Sequence, residues 1–238
     1  MSLKIILLLV LIMTKLFGSE IQREYVVSVT LYGKIGSASY KEVKNGKNYG
    51  LFLNAKPTSF IRAVSGIKKV QYKSIGHIAP DGRYIPVFFS ELTLKRHEKK
   101  QISYFCNAEK MSITKKTHIE KKVLSIDVKH LFSKKRQYHT EIEDKSKEID
   151  YADNDYLTLM KNISLFKKGE IKYMDQKKTN KLYLISKEKN FYKIKVAKKK
   201  KKYFIALKTD CYGLLEAETY KSFKFGNAYI KTVNTSVK

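Results

Sequence analysis

Five consecutive lysines, Lys198 to Lys202, are the sharpest chemical feature of the chain. With Phe191, Tyr192, Tyr203 and Phe204 on either side, they would bring ammonium groups and aromatic faces together. Two readings fit that mix: a solvated hairpin tip, since a run of like charge is usually wet, and a contact for an anionic surface. Lysines among aromatics also suit a platform for single-stranded nucleic acid. That partner is set aside because Met1 to Ser19 reads as an export signal and the chain holds only five arginines: Arg23, Arg62, Arg83, Arg96 and Arg136. Cys106 and Cys211 are the two thiols. An oxidising compartment would permit a disulfide between them. In regular strands Cys106 shares a face with Ile102 and Tyr104, and Cys211 shares one with Ile205 and Leu207. Both are expected on the core side, and a bond and two buried thiols stay open as alternatives.

The other candidates for chemistry fail on spacing. His77, His97, His118, His130 and His139 never fall at a metal-ligand spacing such as i, i+4, so they read as polar strand or surface residues. Asp150, Asp153 and Asp155 cluster with Asn154. A calcium loop counted from Asp150 needs a glycine in its sixth place and a glutamate in its twelfth. Those places hold Asp155 and Lys161, so Asp155 is better read as a helix cap. There is no Gly-x-Ser-x-Gly elbow, phosphate-binding loop or dinucleotide fingerprint. No catalytic residue, metal ligand or cofactor is therefore expected, and an uncharacterised secreted hydrolase is the weaker alternative.

The elements that would position these residues are strands. Lys69 to Asn107 reads as a long strand, a turn at Pro80-Asp81-Gly82 and two more long strands, with Pro86 expected at a strand start or edge. Met111 to Lys122 adds a weaker strand. Before this stretch, Tyr25 to Tyr32, Ile35 to Val43 and Tyr49 to Asn54 are strands, with Asn45-Gly46 as a hairpin turn. Phe60 to Val64 is a short helix capped by Thr58 or Ser59. Val123 to Asp150 reads as a charged insert, a partly helical surface excursion. Asp155 to Ile163 is a second short helix. Ile171 to Met174, Lys181 to Ser186, Phe191 to Ala197, Tyr203 to Thr209 and Ala228 to Val233 are strands again. The expected fold is mainly β: a curved antiparallel sheet or open β-barrel with one or two short helices, as one domain over residues 20–238.

Residues 1–19 are expected to be a cleaved signal peptide. Lys4 gives the positive start, Ile5 to Met13 the apolar run, and Gly18-Ser19 the small residues at the cut. The run is too short to span a bilayer, and no later window is apolar enough. The mature chain is expected in the periplasm without a transmembrane segment. The chain of 238 residues carries a net charge of +27, and the signal peptide removes only Lys4 and Lys15 from it. So basic an exported protein would be drawn to lipid head groups, lipopolysaccharide or acidic glycans.

The first strand through Gly33, the stretch from Ser65-Gly66 to Pro80 and Asp155-Tyr156-Leu157-Thr158-Leu159 resemble a family of exported Gram-negative proteins catalogued as a domain of unknown function. The resemblance implies a signal-bearing, β-rich protein with no catalytic residue, and a curved sheet like the lipoprotein-carrier folds that hold acyl chains on a concave face. This chain departs from the family in its lysine content and its charged insert. The resulting expectation is non-catalytic binding of a lipid-like or anionic envelope component. Tyr84, Val87, Phe89, Tyr104, Tyr192, Ile194 and Tyr203 would line the face, and the lysine-rich loops would meet an anionic head group. The alternative is an envelope scaffold without a ligand. Oligomeric state is not legible.

Overall fold

A computed structural model describes residues 18–125, 137–174, 179–198, 201–220 and 226–238. Among the described residues there are fourteen strands and two short helices. The first half holds β1 (Glu20–Val29), β2 (Gly33–Asn45), β3 (Asn48–Pro57), α1 (Ser59–Ser65), β4 (Ile67–Ile78), β5 (Tyr84–Lys95), β6 (Glu98–Asn107), β7 (Ser112–Ser125) and β8 (Gln137–Asp150). Then come α2 (Tyr156–Asn162), β9 (Gly169–Met174), β10 (Thr179–Glu188), β11 (Phe191–Lys198), β12 (Lys201–Asp210), β13 (Gly213–Tyr220) and β14 (Ala228–Val237).

All fourteen strands form one antiparallel sheet in the order β8-β7-β6-β5-β4-β3-β2-β1-β14-β13-β12-β11-β10-β9. The chain starts in the middle of the sheet and steps outward by hairpins to β8. It then crosses the inner face through residues 151–168, which carry α2. At the far edge it begins β9 and steps back to β14, beside β1. The loop closes at the backbone: Glu20 N donates to the Lys238 carbonyl at 3.0 Å, and Lys238 N to that of Glu20 at 2.8 Å.

The edge strands β8 and β9 do not pair with each other, so the sheet stays open and is not a barrel. Side chains fill the space between the edges instead. Met174 of β9 and Ala152 pack with Phe89, Ile102, Tyr104 and Ile113 of β5 to β7. A second cluster joins Leu159 and Ile163 to Ile171, Leu182, Leu184, Tyr192, Ile194, Val196 and Leu207. A third joins Leu157 to Tyr49, Leu51 and Tyr84. All three clusters lie on the inner face, and α2 contributes to each of them through Tyr156, Leu157 and Leu159. A one-layer sheet needs such a cover, because its apolar face must be buried against something.

The central stretch is as expected, with Pro86 near the start of β5. Pro86 lies opposite Gly76 at a bulge, where Ile75 pairs with Phe88 and Val87 has no partner. Bulges accept proline because a ladder bond is already missing. Gly76 is required here: a Cβ on it would come within 1.9 Å of the Ile85 carbonyl oxygen. Asn45-Gly46 does turn the second hairpin, with Gly46 at φ 58°.

Several expectations are corrected. Val123 to Asp150 is not a helical excursion: β7 runs to Ser125 and β8 covers Gln137–Asp150, with residues 126–136, including His130, outside the described residues. The mixed charge of β8 misled because an edge strand solvated on both faces needs no apolar alternation; charge along an edge also discourages pairing with another chain. Strand β13 was not expected at all. Thr58 is the N-cap of α1 but its side chain makes no capping bond. Val87 does not line the inner face: the bulge shifts the alternation, so Tyr84 and Phe89 point inward while Val87 is exposed.

Candidate ligand-binding site

Helix α2 is anchored by Asp155, which is fully buried. Its Oδ1 accepts from Leu157 N at 2.7 Å and Thr158 N at 2.9 Å, and its Oδ2 accepts from Ser74 Oγ at 2.6 Å. Asp155 N in turn donates to Thr158 Oγ1 at 2.9 Å, completing a capping box. Burial pushes the Asp155 carboxyl up to about 6, and the bonds from Ser74, Thr158 and Leu157 hold it from rising further. At the other end, Asn162 accepts from Tyr84 N at 2.8 Å and donates to the Tyr84 carbonyl at 2.9 Å. Asn162 Nδ2 also donates to Asn154 Oδ1 at 3.0 Å. The helix is thus pinned to β4 and β5 by polar bonds as well as by packing.

Charge is buried at the C-terminal end of the same helix. Glu42, on the inner face of β2, is fully buried. It accepts from Tyr84 Oη at 2.6 Å, Tyr40 Oη at 3.2 Å and Lys161 Nζ at 2.8 Å, and pairs with Lys44 at 3.2 Å. Burial raises the Glu42 carboxyl, but Lys161, Tyr84 and Lys44 more than offset it and hold the carboxyl below its ordinary range. Burial also lowers the Lys161 ammonium, against the pull of Glu42. Nearby, Arg23 of β1 reaches across the sheet to Asp210 at 2.6 and 2.5 Å and to the Leu214 carbonyl at 2.6 Å. Lys161 Nζ also reaches the Tyr212 carbonyl at 3.3 Å. The group holds three cations, Lys44, Lys161 and Arg23, against two carboxylates, Glu42 and Asp210. An incoming anion would therefore meet net positive charge.

Two cavities adjoin this group and share Met160, Lys161 and Gly213 as a partition. One, of about 470 Å³, is the more polar; Lys44, Tyr84, Asn190, Thr209 and Asp210 are among its walls, beside Met160, Ile163 and Leu165. The other, of about 200 Å³, is apolar except for Lys161 and the tyrosine hydroxyls: Tyr25, Val27, Ala38, Tyr40, Leu53 and Ile230 are among its walls. The apolar cavity lies where α2 stops. Along β3, Leu51 is buried under the helix, whereas Leu53 and Ala55 on the same face are only half-buried. The small side chains of Ala38 and Ala55 leave the volume that a larger pair would fill. An apolar space of this size, between an apolar wall and a buried ion pair, suits part of an acyl chain with an anionic end at the lysines.

The expected site residues fall as follows. Tyr84, Phe89, Tyr104, Tyr192 and Ile194 lie buried on the inner face. Of these, Tyr84 and Tyr192 line the polar cavity, and none of the five lines the apolar one. Lys198 pairs with Lys201 to close the β11–β12 hairpin, with Lys202 opposite Ala197; Lys199 and Lys200 lie outside the described residues. Register puts that hairpin at the rim of the sheet toward which β1 runs, and β12 ends at Asp210 beside the cavities. Cys106 and Cys211 are both free thiols, not a disulfide. Cys106 is half-buried and its thiol is pushed up to about 12 by burial. Cys211 is exposed, because β12 ends at Asp210 and Cys211 occupies the turn that follows.

Of the histidines, His118 sits between Asp144 at 2.7 Å and Glu120 at 3.1 Å, and those bonds raise its proton affinity. His97 stacks on Tyr138. Among the described residues, no three His, Cys, Asp or Glu side chains gather as a metal site would require, and no helix is long and apolar enough to cross a membrane.

Glu42, Lys161, Arg23 and Asp210 were not singled out from sequence. The signal was present in part: Glu42 follows Ala38 and Tyr40 at every second position of β2, and Arg23 sits between Ile21 and Tyr25 on β1. A charge inside an inward-facing row marks a buried partner. Compared with protein-family models and with curated proteins, the chain matches none.

Proposed function

We propose that this is an exported, non-catalytic protein of the cell envelope that holds an amphiphile, with its tail in the apolar cavity and its anionic end at Lys44 and Lys161. The carrying observation is the adjacency of the two cavities across Lys161. One offers a hydrocarbon surface and the other offers excess positive charge. Either alone would be unremarkable in a basic β protein; together they match the two ends of one molecule. The reading accords with the net charge of +27 and with the export signal expected over residues 1–19. On this reading the chain works in the periplasm, and its sheet is similar to those of exported Gram-negative proteins with a carrier-like fold.

The test is native mass spectrometry of protein purified from its own envelopes without detergent, followed by solvent extraction. A bound amphiphile released by detergent and high salt is the expected result. A ligand-free protein that takes up no fatty acid or lysophospholipid would favour the scaffold instead.

A further inference from the structure

The β1–β2 turn and α1 form an apolar tip on the rim where the cavity-lined face ends. Leu31 is 67% exposed, Tyr32 50%, Phe60 60% and Val64 75%. The Tyr32 and Phe60 rings lie 6.1 Å apart, so turn and helix make one patch. Helix α1 buries no residue of its own, which is unusual for a helix that must be held by packing. It is held by its ends instead. Thr58 N bonds the Ile35 carbonyl of β2 at one end, and Arg96 N bonds the Gly66 carbonyl at the other.

Cations surround the patch. Lys34, Arg62, Lys68 and Arg96 are all exposed. Residues 25–41 and 43–80, which build the tip itself, contain no aspartate or glutamate; of the acids beside it, Glu98 is paired with Lys95 at 2.8 Å and Glu218 accepts from Asn227. Leucine, phenylalanine, tyrosine and valine at a tip ringed by lysine and arginine are the side chains that settle in the interfacial layer of a bilayer. A tip at which unpaired cations outnumber the carboxylates complements anionic head groups and would repel a basic partner, including a second copy of this chain. The cavity walls run toward the same rim: Val27 is two residues before the end of β1, and Ala55 is two before Pro57, which leads into α1.

We infer that this tip docks on the surface of a bilayer carrying anionic lipids, and that the open end of the amphiphile cavity faces that bilayer when it does. The inference deepens the amphiphile reading, but the docking has its own readout. The chain has no tryptophan, so Phe60→Trp places a single reporter at the tip and Phe191→Trp, exposed at the opposite rim, is the matched control.

With phosphatidylglycerol–phosphatidylcholine vesicles, the tip reporter should shift to the blue and be quenched by brominated acyl chains, and the control should do neither. Leu31→Ser with Val64→Ser, both at exposed sites, should leave thermal unfolding unchanged and weaken vesicle binding by about tenfold or more. Vesicle binding with no change at the tip reporter, or an equal change at the control, would overturn the inference, as would no binding at low salt. Extracting ligand from the same variants separates the two proposals. Retained amphiphile without docking sinks only the docking, and docking without retained amphiphile sinks only the cavity reading.

Discussion

On β3, Leu51 is buried beneath α2, while Leu53, two residues on and on the same face, is only half covered. The two positions mark two halves of one inner face. In the half under α2 the polar side chains at the two ends of the helix are matched: Asp155 with Ser74 and the helix amides, Asn162 with Tyr84, Glu42 with Lys161 and two tyrosines. In the other half the walls are mostly apolar, two of them are alanines, and α2 reaches them only through Leu157, Met160 and Lys161, which leaves a cavity of about 200 Å³. A sheet of this curvature has the same need for burial along its whole length. The covered half serves stability, and the uncovered half leaves apolar surface available for binding. Substitutions should separate accordingly.

The largest effect is expected at the junction. Glu42→Ala removes the partner of a nearly buried lysine and of two tyrosine hydroxyls. Removing one member of a buried pair costs about 3–5 kcal/mol, read by denaturant unfolding. Next comes the direct contrast between halves. Leu51→Ala should destabilise by about 3 kcal/mol, because a fully buried leucine leaves a cavity. Leu53→Ala should cost less, about 1–2 kcal/mol, because Leu53 sits at the margin of its cluster with part of its surface on the cavity, and should instead loosen amphiphile binding. Equal losses at the two sites would erase the distinction.

A smaller effect is expected from pH. The Asp155 carboxyl is raised from its ordinary 3.8 to about 6. Between those values the folded protein keeps a proton that the unfolded chain has released, so this group makes stability fall as pH rises from about 4 to about 6. Above that window its contribution is constant. Glu42 acts in the opposite sense: its lowered carboxyl contributes stability above its ordinary range, and that stability is lost in acid. Asp155→Asn keeps a capping side chain and removes the titration. The difference in stability between wild type and Asp155→Asn should change across pH 4 to 6 and be flat at neutral pH. A difference that does not vary with pH would mean that Asp155 is not buried as a titrating group.

The strands and α2 were legible because their signals are local. Period-2 alternation marks β3 to β6, Asn45-Gly46 marks a turn, and Asp155 with Thr158 marks a helix start. The misses have non-local causes. Strand β8 pairs on one side only, so it carries charge where a central strand carries apolar residues. Val87 left the inner face because of a bulge set by Gly76 on the neighbouring strand. The site was hidden for the same reason. Glu42 and Lys161 are 119 positions apart in sequence and 2.8 Å apart in space. The lysine run, which dominates the sequence, closes a hairpin, whereas single lysines at Lys44 and Lys161 adjoin the cavities.

The most direct test of the central claim is to fill the uncovered half and leave the covered half alone. An anionic fluorescent amphiphile such as anilinonaphthalene sulfonate should titrate wild type at one saturable site, with fluorescence lowered by added fatty acid. Ala38→Phe with Ala55→Phe should abolish that site while keeping the wild-type thermal midpoint, since the two alanines belong to none of the three buried clusters. Saturable binding that survives the filled cavity, or no saturable binding in the wild type, would contradict the account.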